Sequence, residues 1–146
     1  MSRIKGQEIE VRIVVDGVLQ DAFTCPVSFD DSIKTELKEQ GYLGEKTNRH
    51  DEVYNGTDFN LKMHVESSKW MTFQKLVTDR AQRITPGTVI NLIRSDFYSD
   101  GSTGTRIYPD AHFGPMPSSA PSRTDYVDVS LTGACDQHVD DVSTIL

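Results

Sequence analysis

The 146-residue chain is poor in what builds a disulfide scaffold, a metal centre or a membrane span. Its two cysteines, Cys25 and Cys135, are far apart and form no Cys-x-x-Cys, which excludes a disulfide framework and a cysteine zinc site. The four histidines, His50, His64, His112 and His138, show no ligand spacing, so no metal and no cofactor is expected. No apolar run approaches the roughly 20 residues of a membrane span, and the first ten residues lack the hydrophobic core of a signal peptide. Folding in a cytosol-like compartment, with no membrane segment, is the expectation. Positive charge is short as well: 15 Lys and Arg against 22 Asp and Glu leave −7 at neutral pH, which argues against tight wrapping of nucleic acid.

Catalytic signatures are equally scarce. There is no Gly-rich phosphate loop and no nucleophile elbow, and Ser118-Ser119 has no nearby base. The stretch Asp96 to Ile107 places Asp96, Asp100 and Gly101 as in a calcium loop but has Tyr98 third and Ile107 twelfth, where a bidentate Glu is required. Asn55-Gly56-Thr57 fits the glycosylation pattern and reads as a turn. The chain is therefore not expected to be an enzyme.

What is present is one modest domain, residues 1 to 146, 36% hydrophobic and 25% charged. At this length folding buries about 68–70% of the surface of the unfolded chain, enough for a core without staples. From Glu8 to Val15 apolar and polar residues alternate as in a strand, and Asp16-Gly17 is a hairpin signal. A return strand is predicted over about Val18 to Phe29, with Cys25 on its apolar face and Pro26 marking an edge or a bulge.

Asp30 to Glu52 carries seven acidic and four basic residues with little apolar content. It reads as a long charged loop, about 30 to 56, closed by Asn55-Gly56, and a loop of that length in a compact domain needs a function. Phe59 to Val65 alternates as another strand. A helix follows, capped by Ser67 or Ser68, with Trp70, Phe73, Val77, Ala81 and Ile84 as its packing stripe, widened by Met71 and Leu76, and Pro86-Gly87 as its stop. Such a face implies packing across one side of a sheet. Strands are predicted over Thr88 to Ser95, around Thr105 to Tyr108 and over Asp125 to Leu131, and the tail from about 134 to 146 is expected to be loose or to dock on a neighbour. The fold class is mainly β with one helix: an antiparallel sandwich or barrel. Cys135, near the terminus, is a candidate for an inter-subunit disulfide formed outside the reducing cell.

The order of these features, with Gly41-Tyr42-Leu43-Gly44-Glu45, Asp51-Glu52-Val53-Tyr54-Asn55-Gly56, the helix from Trp70 with its Thr85-Pro86-Gly87 stop, and Pro115 to Val129 including Arg123-Thr124-Asp125-Tyr126-Val127, resembles the tail tube proteins of contractile-tailed bacteriophages. The similarity runs from about residue 8 to 133, and the related type VI secretion tube protein shares the architecture. The resemblance implies a virion structural protein, assembled in the host bacterial cytoplasm. Six copies would close into a ring, each lending strands to a larger barrel, and rings would stack into a tube through which DNA is ejected. Sheath, baseplate and terminator proteins are the implied partners.

On that reading the charged loop is an arm to an adjacent subunit, with Tyr42, Leu43, Gly44, Glu45 and Tyr54 as contact candidates; the alternative is that Tyr42-Leu43 tucks back onto its own core. Twenty-four strands about 4.8 Å apart and tilted roughly 40° enclose a channel about 35 Å clear, wide enough for a duplex. Six copies at −7 give −42 per ring, and an acidic wall lets DNA slide without gripping it. Glu8, Glu10, Glu66, Asp125 and Asp128 are the lumen-facing candidates. Competing readings are a ring-forming tail terminator, a secretion tube subunit, and a monomeric β-sandwich that binds a small ligand.

Overall fold

The computed structural model describes residues 3–5, 8–19, 26–65 and 68–143. Cys25, Glu66 and Ser67, all singled out above, lie outside the described residues. The elements are β1 (Ile9–Val15), β2 (Val18–Leu19), β3 (Pro26–Gln40), β4 (Arg49–His64), α1 (Lys69–Ala81), β5 (Ile90–Phe97), β6 (Thr103–Tyr108), β7 (His112–Phe113), β8 (Ser118–Ser119), β9 (Asp128–Cys135) and β10 (Val139–Ser143). They form two antiparallel sheets, a first ordered β10-β6-β5-β1-β2 and a second ordered β3-β4-β9-β7, with β8 also on β9. The mainly β architecture with one helix is the one expected from the alternation of apolar residues.

The Asp16-Gly17 turn forms as predicted: φ is 49° at Asp16 and 86° at Gly17, the two positive values a two-residue hairpin needs. The return strand differs. It is only β2, and the strand that begins at Pro26 belongs to the other sheet. Pro26 sits on the edge strand of that sheet, beside a register shift between Pro26 and Ser28, the two settings in which a strand tolerates proline.

The core lies between the sheets. Ile13, Ile90, Leu92 and Tyr108 from the first face Phe59, Leu61, Val129 and Leu131 from the second, all buried. Phe59 packs 5.3 Å from the Tyr108 ring, and Phe113 meets Phe59 edge-on at 5.9 Å. Each such side chain contributes about 1.5–3 kcal/mol on burial.

Trp70, Phe73 and Val77 of α1 join this core, but Ala81 is exposed, as are Met71 and Ile84, so the predicted stripe is too wide. The reason is an earlier stop. Ile84 N–H donates to Asp79 O (2.9 Å) and Arg83 N–H to Arg80 O (3.1 Å), with Arg83 at φ 63°, a Schellman turn that ends the helix ahead of Pro86-Gly87. At the other end Ser68 holds the cap position without a side-chain cap bond, contrary to expectation. α1 packs where expected, on a sheet, and does so at its β7 edge: Phe73 meets Phe113 edge-on (5.6 Å) and Arg80 Nη2 donates to Ala111 O (2.8 Å).

That seam has no spare room. A Cβ on Gly133 would stand 2.7 Å from His112 O, 2.7 Å from Phe59 Cζ and 2.9 Å from Phe113 Cδ1. Gly133→Ala should cost about 2 kcal/mol through this overpacking, lowering Tm by roughly 4–8 °C. Phe59→Leu should restore only part of it, because the His112 carbonyl is backbone and cannot move aside. A melting curve unchanged by Gly133→Ala would refute the packing assignment.

Candidate assembly surface

The predicted long loop is not a loop. β3 and β4 pair continuously from Thr35↔Tyr54 to Gln40↔Arg49, so only 41–48 connect them and residues 33–57 form a two-stranded arm. The charges that read as loop composition are cross-strand partners. Glu39 Oε1 meets His50 Nε2 at 2.8 Å, Lys34 Nζ meets Asp58 at 2.5 Å, and Lys38 lies opposite Asp51. Asn55-Gly56, expected to be a turn, is a bulge: β4 gains one residue against β3 between Ile33 and Thr35, and Gly56 takes φ 98°, where a Cβ would stand 2.9 Å from Cys135 O.

The arm is two-faced. Ile33, Thr35 and Leu37 share a face with Tyr54, and Ile33 (43%), Leu37 (64%) and Tyr54 (39%) are exposed. Sequence reasoning passed over Ile33 and Leu37. The signal was present, since they continue the period of two that starts at Phe29 and Asp31.

At the tip the Arg49 guanidinium lies over the Tyr42 ring, 5.1 Å from its centroid, and pairs with Glu45, whose N–H donates to Tyr42 O at 3.2 Å. Gly44 takes φ 86° in the turn. Tyr42 is thus held from the side while Leu43 is fully exposed, so the pair does not tuck back onto its own core. Tyr54, grouped above with the tip, stands at the root. Its hydroxyl lies 2.6 Å from Thr57 Oγ1 and 2.9 Å from His138 Nδ1.

The lumen candidates do not share one surface. Glu8 accepts from Lys5 N–H (3.0 Å), and Asp125 accepts from Ser122 Oγ (2.9 Å) in the turn before β9. Glu10 lies on the outward face of the first sheet, 3.8 Å from Arg12, and Asp128 on the outward face of the second, 3.0 Å from His64. Both outward faces carry polar side chains, on the first Glu10, Arg12, Thr105 and Asp141. The second carries Ser28, Asp30, Asp58, Asn60, Lys62 and Thr132; across the first runs the row Val139, Ile107, Ile93.

Two expectations about the C-terminal region are corrected. The tail is ordered through β10, which pairs with β6 from Val139↔Ile107 to Ser143↔Thr103. Cys135 is buried in β9, and burial pushes its thiol pKa up. A thiol so placed is a poor nucleophile and meets no second chain unless the sandwich opens.

An ionic cluster, absent from the sequence reading, ties the root of the arm to the first sheet. Asp31 of β3 accepts from Tyr108 Oη (2.5 Å) and Arg106 Nη1 (3.0 Å), with Arg94 Nη1 at 3.5 Å. Arg94 also pairs with Asp96 (2.9 Å), and Arg106 with Asp140 of β10 (2.7 Å). Burial pushes the Asp31 carboxyl up, but the Tyr108 hydroxyl and the two guanidinium groups outweigh it and hold the carboxyl below its ordinary range. No local pattern announces the cluster, because Arg106 and Tyr108 stand 75 and 77 positions from Asp31. Among the described residues no group of three or more His, Cys, Asp or Glu side chains is placed to hold a metal, and no helix is long and apolar enough to cross a membrane.

No protein-family profile matches the chain, and no curated protein does. Solved structures do. A chain of the six-fold symmetrised baseplate of the anti-feeding prophage is 12% identical, with 97% of each chain covered and a TM-score of 0.63. A chain of the PVC extracellular contractile injection system sheath–tube complex is 14% identical, over 97% of this chain and 93% of that one, at 0.60. The SPP1 tail tube is 14% identical, over 99% and 81%, at 0.61. At such identities the likeness is one of fold, and the fold is that of the proteins of phage tail tubes and contractile injection systems.

Proposed function

We propose that this chain is a structural subunit of a bacteriophage tail tube: six copies close into a ring, rings stack, and genomic DNA leaves through the lumen. The observation that carries the reading is the arm. A two-stranded ribbon is marginal on its own in water, yet this one projects with Ile33, Leu37 and Leu43 exposed. The outer edge of β3 has no strand beside it among the described residues. Such an edge is a liability in a monomer and a means of assembly in a ring.

The polar outward face of the second sheet is the wall in contact with water and DNA, and Asp128 is its contributor among the lumen candidates. Its carboxylates keep phosphates from binding, so the duplex slides. The apolar row of the first sheet then faces protein, in the direction of the sheath. Baseplate and terminator proteins cap the tube, and assembly takes place in the host cytoplasm before the tube is part of a virion.

Negative-stain microscopy of the purified chain tests this. Filaments with a channel about 35 Å wide are expected from the strand count. A protein that stays monomeric at every concentration and in the presence of virion tail components would overturn the reading.

A further inference from the structure

We propose that Tyr54, Thr57 and His138 form a latch across the hinge of the arm, and that His138 is the residue that positions the arm for assembly. The assembly reading above supplies its purpose; the geometry is intramolecular.

The hinge is the bulge. Against Lys34 of β3, β4 sets two residues, Asn55 and Gly56, and a bulged strand bends where its ladder is interrupted. The bulge also makes the latch. In a regular strand, residues three apart face opposite sides. The extra residue turns Tyr54 and Thr57 to the same side, with Tyr54 Oη 2.6 Å from Thr57 Oγ1. Tyr54 belongs to the arm, and Thr57, fully buried, to the sandwich.

His138 bridges the two. Its Nδ1 is 2.9 Å from Tyr54 Oη and 2.7 Å from Thr57 Oγ1, its main-chain N–H donates to Tyr54 Oη at 3.3 Å, and its ring meets the Tyr54 ring edge-on at 5.6 Å. The hydrogens balance. With its proton on Nε2, which faces Asp140 at 3.6 Å, the imidazole offers Nδ1 as an acceptor. Thr57 Oγ1 can donate to it while Tyr54 Oη donates to Thr57 Oγ1 and accepts from the His138 N–H.

The post is anchored in turn. His138 lies between β9 and β10, where the chain crosses from the second sheet to the first, and Asp140 pairs with Arg106, which also holds Asp31 of β3. The other brace near the hinge, Lys34 to Asp58, is an exposed pair and contributes little. A two-stranded ribbon is marginal alone, so an unlatched arm would sample many angles and give them up only when copies join, which weakens association.

Hydrogen exchange of the unassembled chain, together with the concentration at which tubes form, tests the latch. Tyr54→Phe removes the hydroxyl through which the arm is held and leaves the Thr57–His138 contact in place. Net loss of one hydrogen bond corresponds to a factor of about two to ten. Amides of 35–53 should exchange faster by that factor while β5 and β9 keep their rates. The concentration needed for assembly should rise by no more than the same factor, since only the latched fraction is competent. His138→Ala, a change outside the arm, should act in the same direction, and His138→Asn, which returns an acceptor near the place of Nδ1, should recover most of the loss. Unchanged arm exchange in both Tyr54→Phe and His138→Ala would refute the latch, as would exchange that quickens equally in β5 and β9. Faster arm exchange with unaltered assembly would refute the positioning role. A wild-type chain that forms no tubes would overturn the assembly reading and the positioning role with it, while arm exchange would still decide the latch.

Discussion

Deletion of residues 40–46 is expected to yield a folded monomer that no longer polymerises. The sandwich loses almost nothing by it. Leu43 buries no surface, Tyr42 touches Arg49 of the arm itself, and the Glu45–Arg49 pair is local to the tip. Exposed pairs of that kind are worth about 0–1 kcal/mol. After deletion Glu39 and His50, which face each other in the intact arm, are joined through Thr47, Asn48 and Arg49, and three residues suffice to close a hairpin. Tm should therefore move by no more than about 2 °C, as for other changes away from the core, while filaments vanish from micrographs. Tubes of normal length from the deleted chain would sink the arm hypothesis. A melt lowered by ten degrees would show that the tip supports the fold.

Asp31→Ala should be the most damaging single change to stability. Asp31, Arg94 and Arg106 have side chains only 16%, 22% and 29% exposed. Removal of the carboxylate leaves two guanidinium groups each with one acidic partner fewer, and the Tyr108 hydroxyl without its acceptor. Loss of one partner from a buried ionic group costs about 3–5 kcal/mol, and partial exposure puts this case near the lower figure. A fall in Tm of roughly 6–12 °C follows. The β10 strand should loosen with it, since Arg106 holds both Asp31 and Asp140.

The same carboxylate sets a dependence on pH. Because the folded chain holds Asp31 below its ordinary range, ionised Asp31 favours the folded state at every pH above its unfolded value of about 3.9. That contribution is lost as pH falls through the lowered folded value. Asp140, held low first by its hydrogen bond from Arg106, acts in the same direction. Urea unfolding of wild type and Asp31→Ala should give a wide gap at pH 7 that closes below about pH 4. A gap as wide at pH 3 as at pH 7 would show that charge is not what the cluster contributes.

How much of this was legible differs from element to element. Phe59, Leu61, Met63, Ile9 to Val15 and Asp16-Gly17 declared themselves because period-two alternation and paired positive φ are local properties. Trp70, Phe73 and Val77 did so through helical spacing. The arm stood out by its length and charge and was misread as a loop. Its charges look like solvated loop residues until Lys38 is set opposite Asp51 and Glu39 opposite His50, and that register is a relation between two segments. The tail failed for the same reason: Val139 to Ser143 is a strand because β6 is beside it.

By itself, then, the sequence determined a mainly β domain of net charge −7, one helix and the segments that alternate, all of which follow from nearest neighbours along the chain. Only the tertiary structure decided that the charged stretch is a ribbon, that Asp31 meets Arg94 and Arg106, that Cys135 is closed off and that His138 meets Tyr54. Each of these depends on which strands become neighbours in space. That choice is settled by the burial of a shared core and the satisfaction of paired charges, quantities that no short window of sequence contains.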